Sequence, residues 1–252
     1  MTAVLDAAPS VPLLEVRDLR KRFGGVVAVD GCSFSVREGT VTGLIGPNGS
    51  GKTTVFNMIT GYLRADAGQV RFGGRDVRRP NPTRLYRRGL SRTFQQTRVF
   101  PQLTLVENLV VAVQQPFHAM ARSAVGGDDR RRAEDILDRF GLASHRDRRA
   151  AELSFGQRKL LEFATVLMGR PRLVLLDEPA SGVNPLMIEA IERHIRHLNA
   201  EGLTFLVVEH DMNLVMRLCE PIVVLDHGAK IAEGTAAEVR ANPVVLEAYL
   251  GD

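Results

Sequence analysis

Eight consecutive residues, Gly46 to Thr53, match the pattern G-x-x-x-x-G-K-[ST] at every defined position. A largely apolar run, Val41 to Ile45, precedes them, and residues 54–59 read as a helix. Glycines permit a tight turn whose backbone N–H groups point at phosphates, and the following helix adds the positive end of its dipole. A glycine-rich stretch is more often a plain turn, but a full match between a strand and a helix predicts a nucleoside triphosphate site.

The side chains of this loop have distinct expected tasks. Lys52 can reach the outer phosphates, and the hydroxyl of Thr53 can bind magnesium. The residues predicted to bind the nucleotide here are Gly46, Pro47, Asn48, Gly49, Ser50, Gly51, Lys52, Thr53 and Thr54. ATP and Mg²⁺ are therefore the expected cofactors.

Two adjacent carboxylates, Asp177 and Glu178, follow the apolar run Leu173 to Leu176. Such a strand places its last residues at the carboxyl edge of a parallel sheet, beside the phosphate loop. Asp177 is predicted to hold magnesium opposite Thr53, and Glu178 to polarise a water for attack on the γ-phosphate. The plainer alternative is a polar exit from the strand into a loop.

A second candidate anion site lies at Leu153 to Gln157, just before a helix predicted from Arg158 onward. Ser and Gly at a helix start suit phosphate binding. A domain with its own phosphate loop has no evident need of another, so the segment is predicted to serve the nucleotide of a second subunit. Alone, it would read as a simple helix cap.

Bulk composition limits the other classes of function. The chain has 252 residues, 44% hydrophobic and 25% charged, with a net charge of +4, as in an ordinary globular protein. Its arginine clusters lack interleaved aromatic residues, so no nucleic-acid partner is expected. Two cysteines suggest a reducing compartment, and the N-terminal residues do not form a secretory signal. No apolar run is long enough to cross a bilayer, so any spanning segment would belong to another chain.

The elements that must position these residues follow from periodicity. Strands are predicted at Leu13–Val16, Ser33–Val36, Val41–Ile45, Gly68–Phe72, Leu173–Leu176 and Thr204–Val208. Helical patterns dominate from about Thr104 to Met168, and further helices follow Asn184-Pro185 and Asp211. Residues 115–129 are predicted to form a flexible exposed connection.

The predicted fold class is α/β: a phosphate-loop NTPase core with a mainly parallel sheet, an antiparallel β subdomain and a helical insertion. One domain is predicted over residues 1–252. Its core spans 13–95 and 158–252, and a helical subdomain spans 96–157.

With Gln95 and His210, these motifs make the chain resemble the ATP-binding subunits of ABC transporters along nearly its whole length. The resemblance implies an ATPase in which Phe23 stacks on adenine and Gln95 senses magnesium and the attacking water. His210 would bond the γ-phosphate and hold the water and Glu178 in register. Two subunits would close head-to-tail around two ATP molecules, and the residues capping the partner's γ-phosphate would be Ser154, Gly156 and Gln157.

Within the family, Ser91 to Gln95, Glu209 to Met212 and the ending Tyr249-Leu250-Gly251 look like the ATPases of branched-chain amino acid importers. This likeness implies transmembrane permease subunits, a second ATP-binding subunit that is identical or a sister chain, and an extracytoplasmic substrate-binding protein. The location would be peripheral, at the cytoplasmic face of the inner membrane. Val99, Phe100 and Leu103 are predicted to line the groove that receives the permease.

Other functions remain open at this stage. The ATPase of lipopolysaccharide export shares several features, and a soluble ABC ATPase acting on nucleic acid or ribosomes is a further alternative. A metabolic kinase would leave the Ser154 segment and His210 unexplained. Phe155 and Asn184 depart from the commoner Gly and Asp of the family pattern, and His194 and His197 are expected on a solvated face rather than as metal ligands.

Overall fold

The computed structural model describes residues 11–77, 81–93, 99–113 and 127–250. Its strands form two sheets. They are β1 (Leu14–Phe23), β2 (Val26–Val36), β3 (Val41–Ile45), β4 (Ala67–Phe72), β5 (Arg75–Asp76), β6 (Leu90–Arg92), β7 (Leu173–Asp177), β8 (Thr204–Val208), β9 (Ile222–Asp226) and β10 (Ala229–Gly234).

The larger sheet has six strands in the order β10-β9-β3-β8-β7-β6. Neighbours from β6 to β9 pair in parallel, and β10 pairs antiparallel with β9 at one edge. Strands β3, β7 and β8 are buried along their whole length, as expected for a parallel sheet covered on both faces. The mainly parallel core is therefore confirmed.

The smaller sheet is antiparallel, in the order β2-β1-β4-β5. Its long first hairpin, β1 and β2, has irregular register between Val16 and Arg22, which lets the strands bend over the phosphate loop. The predicted antiparallel β subdomain is confirmed. Its strands are longer than expected: β1 and β2 extend well past the predicted four-residue runs.

The helices surround the sheets. They are α1 (Lys52–Ile59), α2 (Pro82–Arg87), α3 (Leu105–Val111), α4 (Gly127–Arg139), α5 (Phe155–Leu167), α6 (Pro185–Ala200), α7 (Met212–Leu218), α8 (Ala236–Ala241) and α9 (Pro243–Leu250). Asn184 and Asp211 cap α6 and α7, since their side chains accept hydrogen bonds from the first-turn N–H groups, and both helices begin where the sequence predicts them. None of the described helices is both long and apolar enough to cross a bilayer.

The apolar core divides into two clusters, one on each face of the large sheet. Alternate residues of one strand point to opposite clusters: Val174 and Leu176 join one, and Leu173 and Leu175 the other. The first cluster holds the helices from α3 to α7, and the second holds α1 and the antiparallel sheet. The all-apolar run in β7 is explained by this two-sided burial.

Some sequence predictions differ from the structure. Helix α5 begins at Phe155, three residues earlier than predicted, because Ser154 rather than a later residue caps it. The hairpin β9–β10 was not predicted. Of the connection predicted over 115–129, residues 115–126 lie outside the described residues, and Gly127 already begins α4.

The two predicted polar histidines have different surroundings. His197 is exposed, and its Nε2 atom lies 3.2 Å from Oε1 of Glu201. His194 instead stacks on Phe140, with ring centroids 4.4 Å apart, so the solvated face predicted for it is wrong. This contact joins α6 of the core to the segment after α4. Among the described residues, no group of three or more His, Cys, Asp or Glu side chains could hold a metal ion.

Candidate nucleotide-binding and catalytic site

The phosphate loop runs from β3 into α1 and is pressed between two other strands. A Cβ atom on Gly46 would lie 2.0 Å from the carbonyl oxygen of Leu225 in β9. One on Gly51 would lie 2.4 Å from the carbonyl oxygen of Ala28 in β2. Both glycines also have positive φ, 151° and 97°. The loop can close over an anion only because these positions lack side chains.

Lys52 lies inside its own loop, 6% exposed. Its Nζ atom donates to the carbonyl oxygens of Gly46 (2.7 Å) and Pro47 (2.8 Å) and to Oγ of Ser50 (3.3 Å). Burial lowers the pKa of the Lys52 ammonium, and the charge of Glu178 acts in the opposite direction. The Lys52 ammonium is thus held inside the phosphate loop by three hydrogen bonds to loop oxygen atoms.

The C-terminal helix also reaches this loop. The Tyr249 hydroxyl on α9 forms a hydrogen bond with the backbone of Gly46, which lowers its pKa, while burial has the larger effect and raises the pKa to about 12. This contact joins positions 46 and 249, and no local pattern in the sequence predicts it.

Asp177 ends β7, next to β8 and close to β3 in the sheet order. It is 6% exposed, and its Oδ2 atom accepts a hydrogen bond from Nη2 of Arg92 at 2.6 Å. Arg92 Nη1 also donates to Oδ1 of Asn57 in α1 and to Oγ1 of Thr60, the C-cap residue of that helix. One guanidinium therefore connects β6, β7 and the helix that follows the phosphate loop.

Glu178 follows Asp177 with a left-handed backbone, φ 49°. This conformation is unfavourable for a residue with a Cβ atom. Its N–H donates to the carbonyl oxygen of Val208, at the end of the neighbouring strand β8. The turn directs the Glu178 carboxylate toward His210, whose Nε2 lies 2.8 Å from Oε1. The structure thus brings together two residues that are 32 positions apart.

This pair has the properties required for proton abstraction. The Glu178 side chain is 16% exposed and that of His210 is 45% exposed, so a water molecule can approach both. In the tautomer with its proton on Nε2, the imidazole donates to Oε1 of the Glu178 carboxylate. Glu178 and His210 follow neighbouring parallel strands, β7 and β8, whose carboxyl ends share one sheet edge.

The Ser154 segment forms a second exposed helix start. Oγ of Ser154 accepts from the N–H of Gln157 (3.2 Å), and Oε1 of Gln157 accepts from the N–H of Ser154 (2.9 Å). This capping box satisfies two N–H groups of α5. A Cβ on Gly156 would come within 2.7 Å of Met187 Cε, so α5 and α6 begin in close contact. The predicted helix cap is present, and it leaves the helix start open to solvent.

Phe23 ends β1 with half of its surface exposed, 50%. The ammonium of Lys21 lies 5.5 Å from the centre of its ring. Phe155 is similarly exposed, at 44%, and lies beside Gly182 and Lys159. Exposed aromatic rings of this kind offer a flat apolar face to a base or to another subunit.

The donor atoms present suit magnesium. Thr53 supplies a hydroxyl at the start of α1 and Asp177 a carboxylate at the end of β7, and hard oxygen ligands of this type are those that Mg²⁺ takes beside phosphates. Gln95, the third predicted ligand, lies outside the described residues.

Three residues with a place in this site had no role predicted from sequence. They are Arg92, bonded to Asp177, Thr93, whose hydroxyl accepts from the Asp177 N–H at 3.2 Å, and Glu209, a buried carboxylate next to His210. A charged residue directly after an all-apolar strand, as at Glu209, is a readable signal for such a role. The partners of Arg92 and Thr93 depend on the register of β6 against β7, which the local pattern does not contain.

A phosphate loop between strand and helix, with acidic and histidine residues at the same sheet edge, defines the chain as a phosphate-loop NTPase. Comparison with known protein families identifies the family within this class. The ABC transporter family model matches residues 29–181, and a model of branched-chain amino acid ATP-binding cassette transporters matches residues 229–252. The chain belongs to the ATP-binding cassette subunits of ABC transporters and is an ATPase.

Similar proteins agree with this assignment. The high-affinity branched-chain amino acid transport ATP-binding protein BraF of Pseudomonas aeruginosa is 40% identical over 253 residues, which cover 96% of this chain and 99% of that protein. The crystal structure of the ADP conformation of MJ1267, an ATP-binding cassette of an ABC transporter, is 37% identical, with a TM-score of 0.87 over 96% of this chain and 100% of that one.

A third relative was solved as a dimer. The ATP-binding cassette MJ0796, in a post-hydrolysis state bound to ADP and Pi, is 26% identical, with a TM-score of 0.75 over 88% of this chain and 98% of that one. The predicted ABC ATPase fold is thus confirmed.

Proposed function

We propose that this chain powers a membrane importer of branched-chain or related amino acids. The support is the full-length similarity to BraF together with the match of residues 229–252 to the branched-chain cassette model. Neither finding favours lipopolysaccharide export. The observation that carries the ATPase chemistry is the 2.8 Å contact between His210 and Glu178 at the edge of the sheet beside the phosphate loop.

The nucleotide is proposed to lie between β1 and the phosphate loop. Phe23 stacks on the adenine ring, and such contacts stabilise binding by roughly 1–3 kcal/mol. Gly46 to Thr54 surround the phosphates with N–H groups, and Lys52 exchanges its loop carbonyl partners for the outer phosphates. Because Lys52 is already inside the loop, little rearrangement of its side chain is needed.

Hydrolysis is proposed to use Glu178 as the general base. Its carboxylate accepts a proton from the water that attacks the γ-phosphate, while His210 fixes the carboxylate and contacts the same phosphate. Gln95 would orient the water. Magnesium, where bound, supplies positive charge to the phosphates. Thr53, Asp177 and Gln95 are the residues proposed to hold it.

Two subunits are proposed to enclose the nucleotides, and the dimeric structure of a related cassette bound to ADP and Pi supports a dimer. The open start of α5 would face the partner's γ-phosphate, with Ser154, Gly156 and Gln157 in contact with it. The exposed ring of Phe155 lies at the same end of α5 and would pack against the partner. The partner can be a second copy or a sister ATPase.

A separate permease is proposed to bind the groove that contains Val99, Phe100 and Leu103. Phe100 is 54% exposed, and its N–H donates to the side chain of the buried Asn108, so the backbone that carries this exposed ring is bonded to α3. The chain would then lie peripherally at the cytoplasmic face of the membrane. A substrate-binding protein on the opposite side would complete the complex.

The test is a pull-down from detergent-solubilised membranes with tagged full-length chain. We expect recovery of hydrophobic permease subunits and loss of that recovery in Phe100→Ser. Val26→Ser is the matched control, because Val26 is a similarly exposed apolar residue, 67%, on β2. Recovery of ribosomes or DNA without permease would refute the transport function. Leucine uptake by the reconstituted complex then checks the substrate class.

A further inference from the structure

Glu209 is a buried carboxylate with no assigned task. It follows β8, a strand buried along its whole length, and directly precedes His210. The residue is 4% exposed. A buried carboxylate is costly unless hydrogen bonds compensate for its lost hydration, so its presence requires partners.

Its partners are backbone N–H groups from two loops. Oε1 accepts from the N–H of Ala180 at 2.6 Å. Oε2 accepts from the N–H of His210 at 2.8 Å and from that of Asp211 at 3.3 Å. The two oxygens of one carboxylate therefore connect the loop after β7, which carries Glu178, to the loop after β8, which carries His210.

The charges around Glu209 give no other explanation for its burial. Among the described residues, no Lys or Arg forms an ion pair with it. Burial raises the pKa of the Glu209 carboxyl, the three N–H donors lower it, and the charge of Glu178 raises it further. An apolar side chain at this position would leave the three N–H groups without an acceptor. The carboxylate is therefore needed by the two loops that carry these N–H groups.

The same two loops are joined at one more point. The N–H of Glu178 donates to the Val208 carbonyl oxygen at 2.9 Å. Glu178 has φ 49°, so its backbone holds this conformation only when neighbouring contacts impose it. The hydrogen bond between Glu209 and Ala180 connects the loops again, two residues after Glu178. The 2.8 Å contact between Glu178 and His210 therefore lies between two hydrogen bonds that join the same segments.

We propose that Glu209 is a positioning residue for hydrolysis, which sets the distance between the Glu178 carboxylate and the His210 imidazole by clamping their loops together. The proposal rests on the proposed roles of Glu178 and His210. It assigns Glu209 no contact with nucleotide. Glu209 should therefore affect turnover through the pair and leave ATP binding unchanged.

The first test is Glu209→Gln in the full chain. The amide keeps one oxygen acceptor, but its NH₂ group faces N–H donors and cannot serve both loops. We expect kcat to fall roughly tenfold or more, with KM for ATP and the affinity for a fluorescent ATP analogue unchanged. Glu247→Gln, an exposed glutamate on α9, is the control and should retain the parental kcat.

The second test separates positioning from general stability. In a His210→Ala background, Glu209→Gln should lower the single-turnover rate by less than about twofold, because the pair it positions is already lost. An equal reduction in both backgrounds, or an unchanged kcat in Glu209→Gln alone, would overturn the inference. The imidazole NMR resonances of His210, but not those of the exposed His227, should move in Glu209→Gln, and unmoved His210 resonances would also refute it.

Failure of the proposed function has a different signature. If His210→Ala hydrolyses ATP at the parental rate, the role of His210 is wrong irrespective of Glu209. If His210→Ala is impaired and Glu209→Gln is not, only the inference about Glu209 fails.

Discussion

Arg92 and Asp177 form a buried ion pair, with Nη2 and Oδ2 2.6 Å apart and both side chains 8% exposed. The guanidinium of Arg92 also lies 5.5 Å from the centre of the Phe56 ring in α1. The carboxylate proposed to hold magnesium is thus paired with a cationic side chain of the same chain. The pair links the metal-binding residue to the helix that starts at the phosphate loop.

Removing one member of a buried pair leaves an uncompensated charge. Arg92→Ala is therefore expected to lower the free energy of unfolding by about 3 kcal/mol, measured by urea denaturation. Arg172→Ala is the matched control, since Arg172 and Glu38 pair at 3.0 Å with side chains 51% and 56% exposed. Its expected effect is below about 1 kcal/mol. An equal loss of unfolding free energy in the two variants would show that the buried pair stabilises the fold no more than the exposed pair does.

Glu178→Gln is expected to keep ATP binding and to reduce turnover by on the order of a hundredfold or more, because the amide cannot accept the proton from water. Single-turnover hydrolysis and equilibrium nucleotide binding measure the two effects separately. A variant that hydrolyses ATP at the parental rate would show that another group is the base.

Lys52→Ala is expected to weaken nucleotide binding itself. It removes the ammonium for the outer phosphates and also the donor that holds the Gly46 and Pro47 carbonyl oxygens inside the loop. Titration with a fluorescent ATP analogue measures the change in Kd. A Kd within twofold of the parent would mean that the ammonium does not contact the phosphates.

Ser154→Ala tests whether the capping residue of α5 also serves a second subunit. Loss of the cap is expected to reduce stability by about 1 kcal/mol. Thr235→Ala is the matched control, because Thr235 and Glu238 form the same capping box on α8. Both variants should lose similar stability, but only Ser154→Ala should lose ATPase activity. For the parent, specific activity should rise with enzyme concentration, whereas a rate strictly proportional to enzyme would argue for an active monomer.

His194 predicts a pH dependence of stability. Burial first, and then the charges of Arg193, His197 and Arg139, lower its pKa below the ordinary 6.5. Between the folded and unfolded pKa values the unfolded chain binds more protons, so stability falls as the pH drops below 6.5 toward the folded value.

His194→Phe retains an aromatic ring against Phe140 and should flatten this part of the curve. His227→Gln, at a side chain 93% exposed, should leave it unchanged. Urea denaturation at a series of pH values provides the comparison. An identical slope in the parent and in His194→Phe would refute the assignment.

Much of the fold could be predicted because its strands are buried on both faces. Residues 173–176 and 205–208 are apolar throughout, and each of them belongs to one of the two core clusters, so the pattern predicts strands buried on both faces. The hairpin of β9 and β10 had a comparable local signal in its Val-rich run and His227-Gly228 turn, but was not predicted. The proposed division at residues 96 and 157 is still a prediction.

The candidate site was predictable in its parts but not in its connections. The phosphate loop, Asp177 and Glu178 are predicted from short motifs whose chemistry needs those residue types, whereas His210 is predicted from the family resemblance. The contacts of Arg92 with Asp177 and of Glu209 with Ala180 join positions that are distant along the chain. They depend on strand register and on loop conformation, which no local pattern encodes.

The left-handed backbone at Glu178 has a consequence for sequence drift. Glycine adopts this conformation without the steric penalty that a Cβ atom brings, about 1 kcal/mol or more. Glu178→Gly is therefore expected to raise the melting temperature while removing the proposed general base. Redesign guided by stability alone would favour glycine here, and only a screen for turnover would retain the proposed general base.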